Sequence, residues 1–183
     1  MNPPADALAD AAEALDLWVD QAAPDVRWVP QERWHVTLAF LGEVNPDRIP
    51  HLSEALHEAS REREPLAGLR LEGAGTFRGA LWIGLAPTER PSPADRLARA
   101  VQRAMRGAGV PVERRPWRAH LTVARWKPTR DRDLAARGVA AQLAEYVGPE
   151  FDVAEFHLVH SVTGPKPTYT DLATFTLEPS PDI

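Results

Sequence analysis

Two short stretches share a pattern that any fold of this chain must accommodate. Trp34–Gly42 reads W-H-V-T-L-A-F-L-G, and Ala119–Trp126 reads A-H-L-T-V-A-R-W. Each copy runs His, apolar, Thr, apolar, Ala. In an extended chain successive side chains alternate faces. His35 and Thr37 then share one face, with Val36, Leu38 and Phe40 on the other; His120 and Thr122 lie opposite Leu121 and Val123. Each copy predicts a strand that shows an imidazole and a hydroxyl on one side and packs its back into a core. Six His and ten Thr in 183 residues make about 0.3 His-x-Thr pairs by chance. A single strand histidine is more often structural, but repetition with an accompanying Thr shifts the weight to catalysis.

Around the two motifs the chain alternates helices and strands. Pro4 to about Gln21 carries Leu8, Ala11, Ala12, Leu15 and Val19 at helical spacing. Arg27–Val29 is a short extended piece. Asn45-Pro46-Asp47 supplies a cap and a first-turn proline for a helix to about Arg63. Leu66–Phe77 and Ala80–Ala86 predict strands joined at Arg78-Gly79. Ser92-Pro93 opens a helix that Gly107 and Gly109 close. A helix over roughly 131–146 follows the second motif, then strands at Phe151–Val162 and Thr168–Leu177. The order is helix, motif strand, helix, strand, strand, twice over. It predicts an α+β fold in one domain, 1–183, with a first repeat at about 4–86 and a second at about 80–177.

The repeats differ at their beginnings. Pro93-Ala94-Asp95 follows the apolar strand Leu81–Leu85, whereas Pro4-Ala5-Asp6 follows only Met1-Asn2-Pro3. The first-half sheet is therefore expected to lack its first strand and to expose an edge. A monomer is expected, with dimerisation through that edge as the alternative.

Composition narrows the chemistry. There is no Cys, which excludes disulfide and thiolate chemistry. The N-terminus lacks the basic and apolar regions of a signal peptide, and no apolar run approaches membrane-spanning length, so a cytoplasmic location is expected. A net charge of −5 argues against indiscriminate coating of nucleic acid. The charge is uneven, however: Arg114, Arg115, Arg118, Arg125, Lys127, Arg130 and Arg132 surround the second motif, against Glu113 and Asp131. This rim reads equally as a solvated surface or as a lure for phosphate. His51 and His57 read as solvated helix residues. His157 and His160, three apart on a strand, face opposite ways and read as structural.

With R-W-V-P before the first motif, L-A-F-L-G after it, R-P-W-R-A-H-L-T-V-A-R around the second and Y-T-D-L-A-T-F-T-L near the end, the chain resembles the two-histidine (2H) phosphoesterases. The likeness is to their LigT-like RNA 2′,3′-cyclic phosphodiesterases, also called the 2′-5′ RNA ligase family. The resemblance implies two pseudo-symmetric lobes, each an antiparallel sheet with outer helices, facing each other across a central groove. It implies hydrolysis of a terminal 2′,3′-cyclic phosphate of RNA to a 2′-phosphomonoester, with weak 2′-5′ ligation in reverse. His120 would be the base and His35 the acid, with Thr37 and Thr122 on the phosphate. No metal and no cofactor are expected, because a strained cyclic diester opens without one. The partner is RNA with a cyclic-phosphate end or a small cyclic nucleotide, with no membrane involved. Alternatives are a 2H enzyme of a small nucleotide, such as a 2′-5′ oligonucleotide or cyclic ADP-ribose phosphate, and a non-catalytic RNA-binding module. Further substrate contacts are offered by Arg118 at the strand entrance and by Tyr169. Arg125, five residues past His120, would need a bulge to reach the same face. Phe40, Trp34 and Trp117 could stack on a base but read more readily as core.

Overall fold

A computed structural model describes residues 1–19, 26–61, 63–87, 91–113, 115–162, 164 and 167–179. The elements in order are α1 (Ala5–Val19), β1 (Arg27–Trp28), α2 (Ile49–Ser60), β2 (Leu66–Phe77), β3 (Ala80–Ala86), α3 (Pro93–Gly107), β4 (His120–Arg125), α4 (Arg130–Gln142), β5 (Val147–Val153), β6 (Glu155–Val162) and β7 (Thr168–Thr176). Helix starts follow their local chemistry. The Asn45 side chain accepts from the Asp47 N–H and caps a short 3-10 turn, Pro46–Arg48, that leads into α2. Ser92 and Asp95 close a reciprocal capping box at α3, and the Thr129 side chain caps α4. Gln21, where the first helix was expected to end, lies outside the described residues, as do Arg114, Pro165 and Lys166.

Five strands form one antiparallel sheet in the order β1-β4-β3-β2-β5, and β6 and β7 form a second, two-stranded one. Helix α1 lies against β5 and β2, α4 against β2 and β3, and α2 against α3 and β7. A continuous apolar core joins both sheets, with Leu71, Ile83 and Leu121 from the larger and Phe156 and Phe175 from the smaller. The expected α+β architecture with antiparallel sheets is what the chain adopts. No helix among the described residues is long and apolar enough to cross a membrane.

Three elements depart from expectation. The stretch predicted as one strand, Phe151–Val162, is two. Helix α4 stops at Gln142, freeing Val147–Val153 to pair with β2 at the edge of the larger sheet, and the chain passes Ala154 into the β6–β7 hairpin. Helix α2 ends at Ser60 and not near Arg63.

The third departure is the first motif, which is no regular strand. Val36 alone bridges to Leu121. On the same edge of β4, the Arg27 and Trp28 pairs already hold Arg125 and Ala124, so only the start of β4 is left open. On its other side Val36 meets Met1, donating its N–H to the Met1 carbonyl (2.9 Å) and accepting from the Met1 amine (3.3 Å). Side-chain donors replace the missing ladder. The Trp117 indole N–H donates to the Thr37 carbonyl (2.8 Å), and the Gln102 amide donates to the Leu38 carbonyl (3.1 Å). Alternation holds as far as Leu38, with Trp34, Val36 and Leu38 buried. It fails at Phe40, expected inside, which is 71% exposed, as no strand among the described residues pairs the segment that far.

Candidate active site

The bridge between the motifs sets the site. With Val36 opposite Leu121 in an antiparallel pair, His35 falls beside Thr122 and Thr37 beside His120. Val36 and Leu121 are 1% and 0% exposed, which turns both histidines and both threonines to the other, open face. His35, His120 and Thr122 are half-buried and Thr37 is exposed.

Both imidazoles are anchored identically. His35 Nδ1–H donates to the Arg33 carbonyl (2.8 Å), and His120 Nδ1–H donates to the Arg118 carbonyl (2.7 Å). A carbonyl can only accept, so each neutral ring carries its proton on Nδ1 and presents Nε2 as a proton acceptor. Burial lowers the His35 pKa below the usual histidine value. Its bond to the Arg33 carbonyl opposes this, while the positive charges of the N-terminus, Arg125 and His120 add to the lowering. That the His120 charge reaches His35 is what two groups sharing one site require.

Arg125 reaches this face through a bulge. Leu81 pairs with Ala124 and Trp82 with Thr122, so β4 holds one extra residue, Val123, against β3. Val123 and Ala124 are both buried, and the extra residue restores Arg125, opposite Ala80, to the side of His120 and Thr122. Tyr169 on β7 sets its ring 5.3 Å from that of His35. Arg118 is exposed, and what it gives the site is its backbone carbonyl. Trp34 is core, its indole N–H bonded to the Val29 carbonyl (2.7 Å). Trp117 buttresses Thr37. His157 lies between Glu155 and Asp171 and bonds Thr174 within the β6–β7 hairpin.

Sequence reasoning passed over two aromatic residues, Trp82 and Phe77. Trp82 stands opposite Thr122 and Gly84 opposite His120. Phe77 meets the His120 ring edge-on at 5.0 Å, and Trp82 lies 6.3 Å from it. The signal was alternation: Leu81, Ile83 and Leu85 are core residues, which leaves Trp82 on the motif face. Among the described residues no cluster of three or more His, Cys, Asp or Glu side chains is placed to hold a metal ion.

Antiparallel sheets meeting at two crossed His-x-Thr pairs define the 2H phosphoesterase fold. The chain belongs to the 2′-5′ RNA ligase superfamily, which it matches over residues 4–165. An RNA 2′,3′-cyclic phosphodiesterase of Archaeoglobus fulgidus is 32% identical over 156 residues, covering 82% of this chain and 83% of that protein. A protein of the same description from Geobacillus stearothermophilus is 31% identical over 94% of this chain, which spans 55% of its length. Among solved structures, the TT0787 protein of Thermus thermophilus superposes with a TM-score of 0.77 at 25% identity, covering 97% of this chain and 94% of that one. E. coli LigT complexed with 3′-AMP shares the fold, with a TM-score of 0.71 at 21% identity and coverage of 97% and 94%.

Proposed function

We propose that this chain opens the terminal 2′,3′-cyclic phosphate of RNA to a 2′-phosphomonoester, with His35 and His120 as the acid–base pair. The observation that carries this reading is the crossed register, in which each histidine stands beside the threonine of the other motif and both imidazoles lie on the same open side. Nε2 of His120 takes a proton from water as its oxygen bonds to phosphorus. The P–O3′ bond breaks in line, and His35 delivers a proton to O3′. Thr37, Thr122 and Arg125 donate to the non-bridging oxygens, where negative charge grows. Tyr169 flanks the sugar on the His35 side. The bound phosphate anion favours the proton that His35 must hold, offsetting the depression of its pKa in the free protein. A 5′-hydroxyl in the place of water would yield a 2′-5′ linkage by the same step. The arginine rim draws in the polyanion. The chain forms one domain of two repeats around this face, and the strain of the cyclic diester makes a metal unnecessary.

The test offers RNA ending in 2′,3′-cyclic phosphate to the protein in EDTA and resolves the products by chromatography. Turnover to the 2′-phosphate is expected, with loss of well over 10²-fold in both His35→Ala and His120→Ala. Near-full activity in either variant, or binding without turnover, overturns the reading.

A further inference from the structure

We propose that Trp82 and Phe77 form a nucleoside-binding wall on the His120 side of the site, where they seat the nucleoside whose 5′-hydroxyl replaces water as the nucleophile. The proposal rests on the mechanism given above, in which His120 activates the attacking group. Water needs no aromatic surface beside it, yet the rings nearest His120 are an indole and a phenyl.

The local sheet is shaped to lay the indole flat. Gly75 pairs with Trp82 across β2 and β3, and a Cβ at Gly75 would stand 2.3 Å from Trp82 Cζ2 and 2.6 Å from Cη2. Only a residue without a side chain lets the ring rest there. Phe77, two residues on and on the same face, adds a second ring 5.3 Å from Trp82, tilted by 34°. Both are half-buried, and both rings lie against that of His120. The Trp82 indole N–H is buried with no partner among the described residues. Trp34, Trp117 and Trp126 each bond theirs, to Val29, Thr37 and Asp133. A purely structural position would be better served by a residue without that buried donor. What indole adds over phenyl is the wider π-face on which a base stacks.

The chemistry balances as for hydrolysis. The acceptor's 5′-hydroxyl proton passes to His120, the P–O5′ bond forms as P–O3′ breaks, and His35 protonates O3′. The product is a 2′-5′ diester.

The experiment gives one cyclic mononucleotide to the protein with adenosine as acceptor and measures the ratio of 2′-5′ transfer to hydrolysis. Trp82→Leu and Phe77→Leu are each compared with wild type. The ratio is expected to fall roughly 5- to 150-fold in Trp82→Leu and less in Phe77→Leu, the scale of one lost base stack. Partial unfolding, or misplacement of His120, slows both nucleophiles together and leaves the ratio unchanged. An unchanged ratio therefore overturns the proposal, as does a wild-type protein that hydrolyses but never transfers. Wild type that turns over no cyclic phosphate refutes the catalytic reading instead. The wall is then judged by calorimetric binding of adenosine, where Trp82-dependent binding supports it and its absence overturns it.

Discussion

Arg125→Gln isolates what the β4 bulge accomplishes. Without the extra residue at Val123, Arg125 would point away from His120; with it, Arg125 shares a face with His120 and Thr122 and its charge acts on His35. A hydrogen bond to a charged group contributes about 1.5–3 kcal/mol. Arg125 is exposed, and solvent screening holds its share to the lower end, so kcat/KM should fall roughly tenfold. Arg125→Lys, which keeps the charge but loses the fork, should lose less. The pH profile gives a second readout. Burial is the main cause of the lowered His35 pKa, and the Arg125 charge lowers it further. Removing that charge raises the pKa of His35. If His35 is the acid, its protonated form is the active one, and a higher pKa carries that form to higher pH. The alkaline limb of kcat/KM should therefore move up. Movement of the acidic limb in its place would make His35 the base. The assay is hydrolysis of a cyclic mononucleotide from about pH 5 to 9, spanning the histidine range. If kcat/KM changes by less than about twofold and neither limb moves, the bulge does not deliver Arg125 to the site.

Other variants probe the hydroxyls and the wall. Thr37→Ala and Thr122→Ala should each lower kcat by about 10- to 10³-fold, with Ser at either position much milder because the donor survives; Ser as damaging as Ala would assign Thr to packing. Gly75→Ala should force the Trp82 ring off the sheet and cost about 1–3 kcal/mol, a fall in Tm of roughly 2–12 °C. Gly138→Ala, within α4 and with nothing near its added Cβ, should raise Tm slightly, so equal shifts in the two glycine variants would contradict the packing at Gly75.

Much of this protein was legible in the chain because it is written in local chemistry. The capping pairs at Asn45 and Ser92, the Arg78-Gly79 turn and the strands Leu66–Phe77 and Ala80–Ala86 arise from side chains a few residues apart, and they appear as the sequence predicts. The two motifs were visible for the same reason: alternation puts each histidine with its own threonine.

The tertiary structure decided what depends on partners distant in the chain. Whether Trp34–Gly42 forms a ladder turned on how much of the β4 edge β1 had already taken, and the answer was a single bridge. The division of 147–162 between two sheets turned on which edge each half could reach. Arg125 joined the site because Val123 is surplus to the register with β3, and a register is a relation between strands that neither encodes alone. Trp82 and Phe77 came to stand beside His120 for the same reason. Each residue carries its own face preference, but which faces meet is fixed only when the sheet closes.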